Sequence, residues 1–261
     1  MKLIPERLRR RRSDPDQDGT MSLVDHLSEL RYRLIVSVVA IAVGAIIGWF
    51  LFDPVLNLLL DPYCDYLKTV PPQSRVTQEC ALFFSGALEP LIIKFKLVGF
   101  LGLFIALPVV LYELWAFIVP GLTRRERRMG IPFVVCSMAL FLLGGLIAYW
   151  TLPKALGFLL GFAGSNLSSL LTADKFLSFV MLVALSFGLA FELPIVLSFL
   201  LAVGVVSTRQ LRDWRRGAIL GIALFAAIIT PSSDPYTMLA MTIPMVLFYE
   251  GAIIVGRLMK R

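Results

Sequence analysis

The sequence contains an apolar, aromatic segment that runs directly into an arginine-rich turn: Tyr112-Glu-Leu-Trp-Ala-Phe-Ile-Val-Pro-Gly-Leu-Thr-Arg-Arg-Glu-Arg-Arg128. Four arginines of this turn surround one carboxylate, Glu126. Long apolar runs lie on both sides, and their length is enough to cross a bilayer. The stretch therefore predicts two membrane helices joined by a short loop that is held at one membrane face.

The composition extends this prediction to the whole chain. The 261 residues are 58% hydrophobic, with a mean hydropathy of +0.81, and apolar runs of membrane-crossing length recur. The net charge of +7 could indicate a nucleic-acid partner. In a membrane protein, however, a basic balance normally reflects loops rich in Lys and Arg on one side. We therefore expect an all-α, polytopic membrane protein that does not bind nucleic acid.

Six membrane spans are predicted, and two of them have unusual lengths. The fourth is long for a perpendicular crossing and contains Glu192 and Pro194, which predicts a tilt or a kink. The fifth covers only about 21 Å at about 1.5 Å per residue, so we expect local thinning of the bilayer or shielding by partners. The predicted spans are residues 34–52, 96–119, 131–152, 174–203, 217–230 and 236–256.

The segments outside the spans complete a single membrane domain over residues 21–261. Residues 1–20 read as a disordered basic tail, and either Met1 or Met21 could be the true start. No cleavable signal peptide is visible. Residues 21–34 have the leucine spacing of an amphipathic helix at the interface. Residues 53–94 form one long loop, broken by prolines, with small surface helices.

The distribution of basic residues predicts the orientation. Of the 25 Lys and Arg residues, nineteen lie at the two termini and in the loops that six spans place on the same side as the termini. Five lie on the opposite side, and Lys96 is at a boundary. By the positive-inside rule both termini are cytoplasmic, in the cytoplasmic membrane.

This orientation puts Cys64 and Cys80 in the long external loop and Cys136 in the third span. A disulfide between the first two is plausible in an oxidising compartment, and two free cysteines are the equal alternative.

No enzymatic or metal site can be assembled from the sequence. His26 is the single histidine, and clustered metal ligands, nucleophile elbows and phosphate-binding glycine loops are missing. We therefore expect no catalytic residue, no metal and no cofactor.

Carboxylates in or beside the predicted spans are the candidate functional groups. A charge in hydrocarbon costs at least about 2.5 kcal/mol, so Glu113, Glu192 and Glu250 should face protein or water, or be protonated. Polar contacts between helices are the alternative role. Glu29 and Glu126 lie among arginines and could bind guanidinium groups, because bidentate contacts between Arg and carboxylate are strong and directional. Topology determinants that touch anionic headgroups are the alternative for the basic turns.

Three motifs together resemble the TatC family, the multispanning subunit of the twin-arginine protein translocase. They are His26-Leu-Ser-Glu29-Leu-Arg31-Tyr-Arg33-Leu34, the stretch from Leu111 to Arg128, and Phe187-Gly-Leu-Ala-Phe-Glu192-Leu-Pro194. The resemblance implies six helices in a cupped arrangement that bind signal peptides with paired arginines. It also implies single-span TatA and TatB type partners, contact with membrane lipids and a homo-oligomer within the complex.

The resemblance also implies roles for single residues. Glu29 and Glu126 would contact the arginines of the signal peptide, and Arg31, Phe117, Pro120 and Arg127 would shape that surface. Glu192 would face the concave side, near a partner helix or the inserting signal peptide. The wider set of intramembrane polar or partner residues is Glu192, Glu113, Glu250 and Asp234, of which Asp234 is displaced by one position from the family pattern.

The predicted function is therefore a signal-peptide receptor and core subunit that exports folded proteins. The alternatives are a proton-coupled small-molecule transporter that uses Glu192, and a scaffold whose acids only pack helices.

Overall fold

The computed structural model describes residues 23–69, 80, 82–118, 130–161, 171–231 and 234–258. Within these residues the chain is almost entirely helical, and its one β contact is an isolated bridge between Phe83 and Thr172. The helices are α1 (Leu23–Phe50), α2 (Phe52–Thr69), α3 (Glu89–Ile118), α4 (Gly130–Gly161), α5 (Ala173–Ala190), α6 (Leu193–Val203), α7 (Thr208–Asp213), α8 (Arg215–Ile229) and α9 (Pro235–Leu258). The predicted all-α class is confirmed.

Five helical segments among the described residues are long and apolar enough to cross a membrane. They are His26–Phe50, Glu89–Ile118, Gly130–Gly161, Ala173–Leu201 and Pro235–Ile254. The predicted short fifth span corresponds to α8, whose 15 residues reach about 22 Å at about 1.5 Å per residue. The count of six spans and the single domain over residues 21–261 stay predictions.

Three helices extend beyond the bounds predicted for them. The third span was expected to close before Pro153, but α4 continues through that proline to Gly161. The second was expected to begin at residue 96, whereas α3 begins at Glu89. The loop over residues 53–94 contains the 18-residue helix α2, with Pro62 inside it. At Pro62 and Pro153 the helix continues through the proline, because packing compensates for the hydrogen bond that the proline removes.

Helices α1 and α3 pack with their backbones in contact. A Cβ added at Gly44 would lie 2.6 Å from the carbonyl oxygen of Gly102, and a Cβ at Gly102 would lie 2.7 Å from the carbonyl oxygen of Ile41. Such close approach is the packing that small residues allow between helices in membranes. The opposite face of α1 exposes Val39, Ile46 and other apolar side chains, as expected for contact with lipid.

Helix α5 lies at the centre of the core. Phe176, Val183 and Phe187 are almost completely buried, and Gly144 of α4 packs against the backbone at Phe187. The chain from α5 to α6 is interrupted at Phe191 and Glu192, which keep helical φ and ψ angles. The expected irregularity near Glu192 and Pro194 is therefore a break of two residues.

Helix α2 covers one end of this core. Tyr63 is buried and its ring lies 5.5 Å from that of Phe176. Burial raises the pKa of Tyr63 and of Tyr66 above the usual value for tyrosine, so both phenols stay neutral. Cys64 of α2 is joined to Cys80 by a disulfide.

The close contact between α1 and α3 predicts that Gly102→Ala destabilises the protein. The added methyl group meets backbone atoms of α1, and overpacking of this kind typically costs about 1–3 kcal/mol. Gly99→Ala on the same helix is the matched control, because nothing lies within 4 Å of its added Cβ. Thermal unfolding in detergent measures both variants. Equal melting temperatures for Gly102→Ala and Gly99→Ala would contradict the packing.

The disulfide predicts a second loss of stability. It closes a loop with a sequence separation of 16, for which chain-entropy reasoning gives about 3 kcal/mol. Cys64→Ser or Cys80→Ser should therefore lower the melting temperature, and addition of a reductant should do the same to the unsubstituted chain. Cys136→Ser is the control, since that thiol is free and exposed. Unchanged melting after reduction would show that the bond does not stabilise the fold.

Candidate functional site

Glu29 and Arg33 of α1 meet Glu113 of α3 at one end of the helices. The guanidinium of Arg33 donates from Nε to Glu29 Oε1 at 3.0 Å and from Nη1 to Glu113 Oε2 at 3.0 Å. A further bond runs from Nη2 to Glu29 Oε1. All three side chains are mostly buried, with 13% to 21% of each exposed. One cation thus holds two carboxylates, and the group carries a formal charge of −1.

One carboxylate oxygen of Glu29 has no hydrogen-bond donor among the described residues. This oxygen, Oε2, is buried. A carboxylate offers about four acceptor positions, and buried polar atoms without a partner are rare in folded proteins. The unsatisfied oxygen beside a net negative charge is therefore suited to bind another cationic donor.

An aromatic contact joins this carboxylate group to the end of α3. The rings of His26 and Phe117 are stacked with centroids 4.4 Å apart. His26 is three residues before Glu29, so the two are neighbours on the surface of α1. Phe117 thus lies near Glu29, two residues before the segment 119–129.

A second aromatic cluster joins the end of α3 to α4 and α6. Trp115 of α3 stacks on Phe133 of α4 with centroids 4.9 Å apart, and its ring lies 5.4 Å from Phe199 of α6. Gly130 leaves room for the indole of Trp115, which a Cβ at that position would overlap. The predicted site residues Pro120, Glu126 and Arg127 lie outside the described residues.

The predicted set of intramembrane polar residues does not form one site. Glu113 belongs to the Glu29 group. Glu250 of α9 pairs with Arg215 of α8. Asp234 is buried and accepts hydrogen bonds from Thr237 at the start of α9. Each acid therefore has its own structural environment, since side chains on different helices meet only where the helices pack.

Glu192 is partly buried at the break between α5 and α6. Its Oε2 accepts a hydrogen bond of 2.6 Å from Ser137 of α4, while Oε1 is buried and has no partner among the described residues. Beside it is an apolar cavity of about 220 Å³ that Phe225 of α8 also lines. A second helix or an inserting peptide could reach Glu192 from this cavity.

Sequence reasoning missed Arg33 and Ser137 as site residues. Arg33 was visible in the first motif, between Arg31 and the apolar run, but it served only as a flanking charge. Ser137 is a single hydroxyl in an apolar span, and such a residue indicates a hydrogen bond to another helix in a membrane. Arg31 itself is exposed.

Known proteins resemble this chain in sequence and in fold. Residues 25–244 match the family profile described as Sec-independent protein translocase protein (TatC). The chain belongs to the TatC family. A TatC protein of Frankia casuarinae is 43% identical over 254 residues, which are 96% of this chain and 70% of that protein. A TatC protein of Aquifex aeolicus is 40% identical over 244 residues, which are 92% of this chain and 97% of that protein.

A solved structure supports the same family assignment. A crystal structure of the twin-arginine translocase receptor TatC has a TM-score of 0.72 at 39% identity, over 90% of this chain and 100% of that one. The family predicted from the three motifs is therefore confirmed.

The hydrogen bond between Ser137 and Glu192 predicts coupled effects of substitution. Ser137→Ala leaves a buried carboxyl group without its donor and should destabilise the protein by about 1–3 kcal/mol. Because Glu192→Gln can still accept from Ser137, it should cost less than Ser137→Ala. A double-mutant cycle with Glu192→Leu, measured by chemical unfolding, should give a coupling energy of about 0.5–3 kcal/mol. Purely additive losses would contradict a direct bond.

Proposed function

We propose that the chain is the signal-peptide receptor and core membrane subunit of a twin-arginine translocase, which exports folded proteins. The observation that carries this proposal is the buried Oε2 of Glu29, which has no partner among the described residues, in a chain of the TatC family. An arginine of the signal peptide would donate to that oxygen. The relatives that the chain matches are named as TatC proteins of the Sec-independent translocase.

Charge supports a guanidinium as the ligand. Glu29, Arg33 and Glu113 together carry −1, so one arriving cation neutralises the group. A guanidinium presents several N–H donors in one plane and is more weakly hydrated than an ammonium group, so it loses less on leaving water. The same group therefore favours arginine over lysine at this position of a signal peptide.

The second arginine of the pair would bind Glu126. Phe117 lies near Glu29 and is one residue before the end of α3 at Ile118, so the segment that carries Glu126 follows soon after a residue near the proposed site. Pro120 would set the direction of that segment, and Arg127 and the exposed Arg31 would repel a wrongly placed cation. Two carboxylates from different parts of the chain would then bind two adjacent arginines.

Glu113 acts through Arg33 in this proposal. It holds the far side of the guanidinium at 3.0 Å, which keeps Arg33 directed at Oε1 of Glu29 and leaves Oε2 to the ligand. Without Glu113, Arg33 would be free to cover both oxygens. Glu113 is then a positioning residue of the receptor site rather than a contact for a partner helix.

The apolar part of the signal peptide would insert along the bundle toward Glu192. The cavity beside Glu192 is lined by apolar side chains and has a free carboxyl oxygen, which fits a helix that brings a polar donor. Single-span TatA and TatB type subunits would use the same site. We propose a multi-pass protein of the cytoplasmic membrane, with both termini inside, that forms a homo-oligomer in the complex.

The other functions are less well supported. The relatives give no support to a proton-coupled transporter of small molecules. A scaffold whose acids only join helices accounts for the bonds of Glu250 and Asp234, but leaves the open oxygens of Glu29 and Glu192 unexplained.

The receptor proposal predicts that Glu29→Gln weakens signal-peptide binding. A hydrogen bond to a charged group contributes about 1.5–3 kcal/mol, so the dissociation constant should rise about tenfold or more. Binding of a peptide with paired arginines is measured on the purified full chain in detergent. The same peptide with paired lysines should bind the unsubstituted chain more weakly. Its affinity should also fall less in the Glu29→Gln variant.

Glu250→Gln is the matched control for the loss of one carboxylate, because Glu250 is paired with Arg215 on other helices. It should leave peptide affinity unchanged. Unchanged affinity in a Glu29→Gln, Glu126→Gln double variant would show that these carboxylates do not bind the arginines.

A further inference from the structure

A second charged site lies at the same end of the molecule, far from Glu29 in sequence. It is a cleft of about 480 Å³ lined by Thr208, Arg209, Arg212, Asp213 and Arg257. The first four belong to α7 and the last to the C-terminal end of α9. This volume is within the range of about 300–1,000 Å³ that small-molecule sites occupy.

Contacts between helices show that the cleft and the Glu29 group share one end. The side chain of Leu201 would lie 3.3 Å from a Cβ at Gly256, the residue before Arg257. Phe199, two residues before Leu201, contacts Trp115 of α3. Trp115 is two residues after Glu113, so both sites adjoin the same membrane face.

The two walls of the cleft are held in place by contacts of their own. Tyr249 of α9 donates a hydrogen bond of 2.6 Å from its hydroxyl to the carbonyl oxygen of Leu211 in α7. Gly256 packs so closely on Thr208 that a Cβ there would lie 2.6 Å from the hydroxyl oxygen. At the start of α7, Ser207 and Gln210 cap each other. The arginines are therefore placed by a packed joint between two elements.

The positive charge of the cleft is not compensated within the described residues. Arg209, Arg212 and Arg257 form none of the ion pairs found there, whereas Arg33 and Arg215 do. Asp213 is the one carboxylate of the lining, so the cleft carries a formal charge of +2. A cleft with this net positive charge favours an anionic ligand.

The cleft lies beside the ends of two apolar helices, and this position indicates which kind of anion it would meet. The apolar span of α9 ends at Ile254, three residues before Arg257. Helix α8 begins at Arg215, just after the cleft. Trp214 lies between α7 and α8 and is 66% exposed, and tryptophan favours the boundary between membrane and water. The arginines are therefore at the level of lipid headgroups.

We propose that this cleft binds the phosphate of an anionic phospholipid. Arginine suits a phosphate because its planar donors form paired, charge-assisted hydrogen bonds. Asp213 accepts a hydrogen bond from a hydroxyl of the headgroup, which distinguishes a phosphoglycerol from choline. The acyl chains pass along exposed apolar side chains such as Leu220 of α8 and Ile254 of α9. The bound lipid then holds the short helix α8 against α9 at their shared end.

The test is a lipid titration of the purified full chain followed by native mass spectrometry. Phosphatidylglycerol and phosphatidylcholine with the same acyl chains are compared. The unsubstituted chain should prefer phosphatidylglycerol about tenfold, the size expected for charge-assisted bonds to one arginine. Arg209→Gln, Arg212→Gln and Arg257→Gln should each remove most of this preference, and Arg257→Lys should retain an intermediate part because charge remains without the planar fork.

Arg216→Gln is the matched control. It removes the same charge from an exposed arginine near the cleft that does not line it, and it should leave the preference intact. An equal loss in Arg216→Gln would assign the effect to general surface charge and overturn the proposal. Melting in lipid-free detergent checks that each variant is folded, so that a loss of lipid is read only from folded protein.

Two further outcomes would also overturn the assignment to a lipid. If inorganic phosphate at low millimolar concentration displaces phosphatidylglycerol and gives the same thermal stabilisation, the cleft is a site for free anions. If the glutamine variants keep their lipid but lose crosslinks to an acidic segment of a partner subunit, the cleft binds protein. If all three glutamine variants keep both the lipid preference and the crosslinks, the cleft binds neither a lipid nor a partner protein, and the proposal is wrong.

Discussion

The need to satisfy polar groups in a hydrocarbon environment is the constraint on which this structure depends. An unpaired charge or hydrogen-bonding group in lipid is costly, and most such groups here are paired. Arg33 lies between two carboxylates, Ser137 donates to Glu192, and Thr237 donates to Asp234. Among the described residues, three buried side-chain atoms have no partner: Glu29 Oε2, Glu192 Oε1 and Thr242 Oγ1. Two of them are carboxylate oxygens, and that of Glu192 belongs to a residue that lines an apolar cavity.

These two carboxylates lie at different depths and differ in their surroundings. Glu29 is beside a second acid and a cation near the start of α1, and we propose that it binds the charged part of a signal peptide. Glu192 lies at the break between α5 and α6, beside an apolar cavity. A signal peptide has both kinds of chemistry, a charged end and an apolar segment. Ring contacts among Trp115, Phe133 and Phe199 join the end of α3, near the first site, to α4 and α6.

Helices α8 and α9 form an edge of the molecule that is packed differently from α1 and α3. α8 is short and exposes Leu220, Leu224 and Ile228, and it is held to α9 at one end by the pair of Arg215 and Glu250. The arginine cleft is at that same end. This edge lacks the close backbone packing that joins α1 and α3.

The sequence by itself determined the class of protein, the approximate place of each apolar helix and the family. Hydrophobicity over about twenty residues depends only on neighbours in the chain, and the motifs around Glu29, Phe117 and Glu192 are also local. Helix ends were less accurate, because α4 continues through Pro153 and α2 includes Pro62, where packing stabilises a helix against a local break. Motif reasoning named Glu29 and Glu192 but not the residues that bond to them, Arg33 and Ser137.

Only the tertiary structure decided which polar residues act together. Arg33 and Glu113 are separated by 80 positions and Ser137 and Glu192 by 55, and no local pattern relates residues so far apart. The same is true of the cleft, where Arg257 meets Arg209 and Arg212 from another element. Glu113, Glu250 and Asp234 looked alike in the sequence as acids near apolar runs. Packing of the helices gave them three different sets of partners, because the energy of a charge in a membrane is set by the groups that lie within a few ångströms of it.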